Sequence, residues 1–419
     1  MKPLDGQVMQ ITPEDGRPAE ADDRFDRFRL IGWWDQRKLA AAKVLVVGAG
    51  ALGNEIIKNL ALLGVGNILI ADKDRIEHSN LSRSVLYRAA DAGLPKAQVA
   101  ARAAKDIYPD LNVHFFDGDV VHDLGMGVFR WADVIIGGLD NREARLAINR
   151  NCWKVNRPWI DGAIEQIDGT ARVFIPGDHD APCYECTMSE QDWKLLQMRR
   201  SCNLLTRAEM ERGGGKTPTT PTISSVIAGV QCQEAIKLIH GLETIGGRGW
   251  VFSGLATDAY QTTFQRKADC YSHDTLDEVI ELDEGAATLT PRDLLRKARS
   301  LLGPAARVEL SRDVLEKLAC PACGEEELLF VSLGKVHADK ALCPRCTGSV
   351  RRDVTTFDTI RGNEAFLDRT LADIGVPPFD IIIVRGKTTD GERAIGLELS
   401  ADAPAVLGSL VQEEGLQWD

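Results

Sequence analysis

Three glycines, two aspartates and a set of cations are the residues whose types and spacing could do chemistry in this chain. Gly48, Gly50 and Gly53 stand in Val44-Leu45-Val46-Val47-Gly48-Ala49-Gly50-Ala51-Leu52-Gly53, an apolar strand pattern that runs into a glycine-rich turn and then a helical pattern. Such a turn lets backbone N–H groups and a helix N-terminus approach a phosphate. Asp72 closes the next apolar run, roughly 20 residues on, where a carboxylate meets a ribose in nucleotide-binding βαβ units. The turn alone does not say which nucleotide. A dinucleotide is held largely by backbone amides and needs few cations, whereas breaking the α–β bond of ATP builds charge on phosphate and calls for Arg, Lys and a Mg²⁺ carboxylate. The chain carries that second set in Asn80-Leu81-Ser82-Arg83, in Gly93-Leu94-Pro95-Lys96-Ala97, and in Asp140-Asn141 followed by Arg145.

Cysteine supplies the other chemistry. Ten cysteines in a chain expected to be cytoplasmic point to metal or catalysis before disulfides. Cys183 and Cys186 form C-x-x-C, and Cys270 with His273 forms C-x-x-H, together a Cys₃His set of the closed, structural Zn²⁺ type. Cys320 with Cys323, and Cys343 with Cys346, are two knuckles spaced as in a zinc ribbon. Two structural Zn²⁺ sites are therefore expected. Cys202 stands alone in Arg199-Arg200-Ser201-Cys202, where neighbouring cations favour thiolate. Cys152 and Cys232 fall in helical patterns and read as packed thiols.

The elements that must position these residues follow from periodicity. Strand-like runs at 44–47, 68–71, 113–116, 134–136, 159–160 and 171–175 alternate with helical patterns, which predicts a Rossmann-like, mostly parallel α/β sheet with helices on both faces. A helix is expected over 222–240 with Gly241 as its stop, and 251–265 is expected to return to the sheet. Residues 1–23 read as a flexible arm, 24–274 as the nucleotide domain with a long loop at 187–221, and the acidic 275–288 as a linker. Residues 289–419 read as a smaller α+β domain holding the ribbon, with a helix at 291–302 and a strand at 380–384. The sequence contains no apolar run long enough for a bilayer, and its net charge of −12 argues against a nucleic-acid surface. Gly215-Lys216-Thr217 looks like the end of a P-loop, but the required first glycine is Met210 and prolines follow where a helix should start.

Six blocks together resemble the ThiF/MoeB-type adenylyltransferases, the family that includes the ubiquitin-activating enzymes. They are Arg24-Phe25-Asp26-Arg27, the 48–53 turn, Asp72 with Asp74, Asn80-Leu81-Ser82-Arg83, the block around Lys96, and Asp140-Asn141 with Arg145. The resemblance runs from Arg24 to His273. It implies that Asp72 holds the ribose, that Asn80, Arg83 and Lys96 bind the phosphates, and that Asp140 coordinates Mg²⁺, with Asn141 and Arg145 beside it. It further implies that Arg27 reaches the ATP site of a neighbouring protomer, hence a homodimer. The 187–221 segment matches a crossover loop that in several members carries the nucleophilic cysteine, the position of Cys202.

The expected reaction is adenylation of the carboxy-terminal glycine carboxylate of a ubiquitin-like protein, with a thioester on Cys202 and transfer to a conjugating enzyme. The alternative keeps the adenylation and passes the acyl group to a sulfur-carrier pathway. An NAD-dependent oxidoreductase would not need the cation set, and a non-catalytic module would not need the ATP set.

Overall fold

The computed structural model describes residues 23–177, 180–199, 218–346, 348–389 and 391–411. Most of the expected arm, the middle of the expected crossover loop with Cys202 and Gly215-Lys216-Thr217, and the last eight residues lie outside the described residues.

After a short helix α1 (Gln36–Ala41), strand β1 (Lys43–Val47) enters the glycine turn and α2 (Ala51–Leu63) leaves it. The chain continues through β2 (Asn67–Asp72), α3 (Lys96–Ile107), β3 (Asn112–Asp117), α4 (Gly127–Trp131), β4 (Val134–Gly137) and α5 (Arg142–Lys154). It then runs through β5 (Trp159–Glu165), β6 (Asp168–Phe174), α6 (Glu190–Arg199), α7 (Pro221–His240), β7 (Arg248–Ser253) and β8 (Asp258–Thr263). Among the described residues these strands form one eight-stranded sheet in the order β3-β2-β1-β4-β5-β6-β7-β8. The first five are parallel and the last three add antiparallel. The order reverses between β1 and β4, and open α/β sheets bind ligands at the carboxyl edge of such a point.

Burial on both faces explains the near-continuous apolar strands. Val44 and Val46 of β1 face one core, shared with Ile56 and Leu60 of α2 and with Ile227 and Ile236 of α7. Leu45 and Val47 face the other, shared with Phe129 of α4 and Ile148 of α5. Pro221 at the first helical turn and Gly241 in the left-handed conformation bound α7.

A second sheet follows, built from β9 (Glu278–Leu282), β10 (Arg307–Ala319), β11 (Glu326–Ser332), β12 (Asp353–Ile360), β13 (Ile381–Thr388) and β14 (Gly391–Leu399). Its order is β11-β10-β13-β14-β9, with β12 paired to β10. Helix α8 (Pro291–Leu302), started by a Thr290–Asp293 capping box, covers it with Leu294, Leu295 and Leu302. The short α9 (Ala403–Leu407) and a 3₁₀ turn at Gly408–Leu410 close the described chain.

Two expectations give way. The acidic 275–288 segment is not simply a linker: β9 pairs in parallel with β14 at the edge of the second sheet. Its charges sit on the exposed side of an edge strand, where Glu281 meets Arg130 at 2.8 Å, while Leu282 is buried. The start of the expected loop is also helical, as α6. The two regions share a core besides: Phe379, Val406, Leu407 and Leu410 pack into the α4–α5 side of the first sheet. Asp380 fastens the joint, accepting from the Met126 N–H at 2.7 Å and from Arg312 at 3.3 Å.

Candidate nucleotide and metal sites

The glycine turn is built as its sequence requires. Gly48 has φ +93°, and a Cβ there would lie 2.5 Å from the Gly138 carbonyl oxygen. A Cβ on Gly53 would lie 1.9 Å from the Gly48 carbonyl oxygen, so the helix can start against the turn only with glycine. Gly50 is the N-cap of α2 and offers no side-chain cap, so the first amides of that helix have no competitor from this residue.

Asp72 ends β2 beside this turn. Its two oxygens accept from the Ala49 and Asp74 N–H groups, both at 2.7 Å, and burial pushes its carboxyl above the ordinary carboxylate value. Each oxygen keeps a lone pair for a hydroxyl. Lys96 begins α3 with only 12% of its side chain exposed and is paired with Asp74 at 2.8 Å. Asn80 is buried and accepts from the Glu77 N–H at 3.0 Å, while Arg83 donates to the Ser79 carbonyl at 2.7 Å. Asp140 lies exposed beyond β4, immediately before α5. The carboxyl ends of β1, β2 and β4 thus carry Gly48, Asp72 and the Asp140 segment to one edge of the sheet.

Three of the expected residues stand apart from the glycine turn itself. Asn141 caps α5, accepting from the Ala144 N–H at 2.8 Å, and its amide lies 3.3 Å from Asp140. Arg145, expected beside Asp140, reaches that segment only through its backbone. It is buried, donating to Asp161 at 2.8 Å and to the Leu139 and Gly162 carbonyls at 2.6 and 3.0 Å. The physical reason is helical phase: one turn beyond the cap, the side chain points at the sheet instead of out of its edge. Arg27 is exposed two residues after Phe25, whose ring packs against Gly64 at the far end of α2. With α2 about 20 Å long at 1.5 Å per residue, Arg27 is remote from its own chain's glycine turn.

Residues that the motifs did not flag complete the edge. Lys73 pairs with Asp119 at 2.7 Å in the field of Asp74 and Asp140, which together hold its ammonium above the ordinary lysine value against the opposing effect of burial. Asn54 donates to the Ala49 and Gly50 carbonyls and accepts from the Leu86 N–H, and the Tyr87 hydroxyl reaches the Ala49 and Lys96 carbonyls. The turn is therefore braced to the segment bearing Asn80 and Arg83. Only the position of Asn54 inside the helix pattern could have signalled this, since a buried amide in an apolar face needs partners.

Both cysteine clusters assemble. The ligand atoms of Cys183, Cys186, Cys270 and His273 lie within 4.8 Å of one another, as do those of Cys320, Cys323, Cys343 and Cys346. Sulfur separations are 3.5 Å for Cys183–Cys270, 3.8 Å for Cys320–Cys346 and 3.7 Å for Cys323–Cys343. Thiolates about 2.3 Å from a tetrahedral Zn²⁺ stand about 3.8 Å apart, so both donor sets fit that ion. Hydrogen bonds from the neighbouring cysteines and from the Lys267 N–H hold the Cys186 thiol well below its ordinary value. Burial raises the other two described thiols, that of Cys232 to about 12 and that of Cys152 well above its ordinary value, which makes both packed and inert. A cleft of about 230 Å³ between α5 and the second sheet is lined by His122, Glu143, Arg150 and Arg312, and none of the nucleotide residues borders it.

The family model described as "ThiF family" matches residues 23–272, more than half the chain. The chain is 35% identical over 175 residues to the SAMP-activating enzyme E1 of Haloferax volcanii, covering 40% of this chain and 62% of that one, less than two thirds of its length. It is 27% identical over 337 residues to the sulfur carrier protein ThiS adenylyltransferase of Bacillus subtilis, covering 79% of this chain and 80% of that one. Among solved structures, E. coli MccB with ATP superposes with a TM-score of 0.51 at 21% identity, over 61% of this chain and 75% of that chain, a likeness of fold.

Proposed function

The chain belongs to the ThiF family, and from that premise we propose that it adenylates the carboxy-terminal glycine carboxylate of a ubiquitin-like protein. The observation that carries the reading is the convergence of the glycine turn, Asp72, the Lys96–Asp74 pair and Asp140 on one edge of the sheet. The substrate carboxylate attacks the α-phosphorus of ATP, a new P–O bond forms, and the α–β bridging bond breaks as pyrophosphate leaves with its electron pair. Asp72 orients the ribose, and Lys96 exchanges Asp74 for phosphate oxygens, with Arg83 and Lys73 assigned to share the charge. Asp140, an exposed carboxylate with no cation paired to it at close range among the described contacts, would hold Mg²⁺, which neutralises phosphate charge when bound. Arg27 is assigned to the site of a second protomer.

In the second half-reaction the Cys202 thiolate adds to the acyl carbonyl, AMP departs, and the resulting thioester is passed to a conjugating-enzyme cysteine. A specific observation favours the sulfur-carrier alternative: the match to the Bacillus subtilis adenylyltransferase extends over 79% of the chain, beyond the family domain. The two readings separate in one experiment. ATP–pyrophosphate exchange that depends on a small protein ending in glycine is expected in both, and Cys202→Ala is expected to keep exchange while losing the thioester. A thioester that survives this substitution removes Cys202 as the nucleophile; exchange without any thioester in the unaltered chain selects sulfur transfer. Recruitment of a conjugating enzyme by the second sheet is best tested by surface substitutions, because truncation would strip Phe379, Val406, Leu407 and Leu410 from the first core.

A further inference from the structure

Arg145 sits where a buried cation must be fully accounted for, and every group it touches belongs to the framework. Its side chain is 10% exposed, and Asp161 is fully buried. Nε of Arg145 donates to one Asp161 oxygen at 2.8 Å, and the other oxygen accepts from Arg172, whose Nε lies at 3.0 Å. Two guanidinium groups on one carboxylate leave an excess of positive charge in a dry place. It is offset by the Leu139 and Gly162 carbonyls on Arg145 and by the face of Tyr184, whose ring centroid lies 5.1 Å from the Arg172 guanidinium.

The two ends of this chain of contacts are what give it a consequence. Leu139 immediately precedes Asp140, so the 2.6 Å bond from Arg145 to the Leu139 carbonyl fixes the backbone from which the Asp140 carboxylate projects. Tyr184 lies between Cys183 and Cys186, and its N–H donates to Asn149 of α5 at 2.9 Å. Arg150 of the same helix reaches Glu185, also between the two cysteines, at 3.3 Å, and Glu185 in turn accepts from Ser272, between Cys270 and His273. The Cys₃His cluster is thus stitched to the middle of α5 and, through Tyr184, Arg172 and Asp161, to the Arg145 that holds the Asp140 loop.

We infer that Arg145 is a positioning residue, setting the height of Asp140 above the sheet edge from an anchor at the Cys183–Cys186 knuckle. The inference rests on reading Asp140 as the Mg²⁺ carboxylate. Lysine cannot replace Arg145, because three acceptors on two sides need the planar fork of a guanidinium.

The test uses the full chain with its metal and its protein substrate, in ATP–pyrophosphate exchange followed over a series of free Mg²⁺ at constant MgATP. Arg145→Lys is expected to raise the half-saturating Mg²⁺ several-fold and to lower kcat about 10- to 100-fold, the cost of a misplaced group near 1 Å. Binding of ATP without Mg²⁺, measured by equilibrium dialysis, should stay within about twofold of the unaltered protein. Arg172→Met, which cuts the link without touching the Asp140 loop, should shift Mg²⁺ dependence in the same direction and keep its full metal content. Tyr184→Leu should do likewise, and Tyr184→Phe, which keeps the ring, should restore the unaltered behaviour. If Arg145→Lys weakens Mg²⁺-free ATP binding and leaves the Mg²⁺ curve alone, Arg145 is a nucleotide ligand and the inference is overturned. It is equally overturned if any folded variant loses exchange only in proportion to a lower melting temperature, or if Arg172→Met leaves the Mg²⁺ curve unmoved; should Arg145→Lys not fold, the Arg172 and Tyr184 variants decide. Failure of the underlying reading is distinguishable, since Asp140→Ala would then retain full Mg²⁺-dependent exchange.

Discussion

Helix α5 has a closed site at one end and an open one at the other, and the contrast separates residues that hold the fold from residues that await a ligand. Toward its C-terminal half, Asn149, Arg150 and Trp153 enclose the Cys₃His cluster. Trp153 lies over His273 at 4.5 Å between ring centroids, and Cys183 is fully buried. Four donors are gathered, and no side remains for a substrate. At its N-terminus, Asp140 is exposed, and the cations nearby are held by single carboxylates: Lys96 by Asp74 and Lys73 by Asp119. Those pairs are exchangeable. A metal cluster whose ligands are all used is a structural part, whereas single ion pairs at the carboxyl edge of a sheet can trade partners for phosphate.

The largest break in this comparison comes from the closed end. Cys183→Ser should lose one of two metal equivalents and unfold the first sheet region, since structural Zn²⁺ supplies on the order of 10 kcal/mol against a typical domain stability of about 5–15 kcal/mol. Metal content and thermal melting check it. Cys346→Ser, at the half-exposed ribbon, should also release one equivalent yet leave exchange activity standing, because none of the four ribbon cysteines enters either core of the first sheet. Equal loss of exchange in both would show that the ribbon also supports the site.

At the open end the expected effect is on rate and not on fold. Asp140→Ala should lower exchange about 100- to 1000-fold, or about 3–4 kcal/mol of transition-state stabilisation, with melting unchanged. A smaller effect tests the assignment of Arg27 to a partner. Arg27→Ala and Asp140→Ala proteins, each deficient alone, should recover about one quarter of full activity when mixed and reassembled, since half the dimers would be mixed and each would own one intact site. No recovery at all would return Arg27 to a structural role at the exposed turn before Phe28.

The same contrast explains what could be read from the sequence. The glycine turn, Asp72 and the C-x-x-C pairs were legible because their chemistry is local: a φ of +93° at Gly48 and a two-residue ligand spacing are visible within a few positions. His273 could be read into the donor set because Cys183, Cys186 and Cys270 lack a fourth donor without it, and the fold brings its ring to them. The partners of Arg145 were not legible, because a motif gives a position along a helix but not which way it faces, and this one turns toward Asp161. Lys73 was passed over because a lysine after a strand reads as a solvated charge, and only the fold brings Asp119 to it. β9 was hidden by its own exposed Glu278 and Glu281, which raise the charge of the segment without entering the core.

The smallest effect concerns the exchangeable pair itself, and pH isolates it. Burial alone would raise the Asp119 carboxyl, but the Lys73 ammonium and the Val121 N–H outweigh it and hold the group below its ordinary value of 3.8. A carboxyl lowered in the folded state contributes stability that is present above its unfolded value and lost as pH falls through the folded one. Asp119→Asn should therefore cost stability at neutral pH and nothing at a pH below the lowered value, measured by urea unfolding at both. Because Lys73 is 60% exposed, solvent screening limits the cost to about 1 kcal/mol or less, and added salt should shrink it further. Bound MgATP should shrink it as well, since a lysine engaged by phosphate has already left Asp119. A cost that persists unchanged with nucleotide bound would mean that Lys73 stays with Asp119 throughout, and that the open end of α5 has one fewer exchangeable cation than its geometry offers.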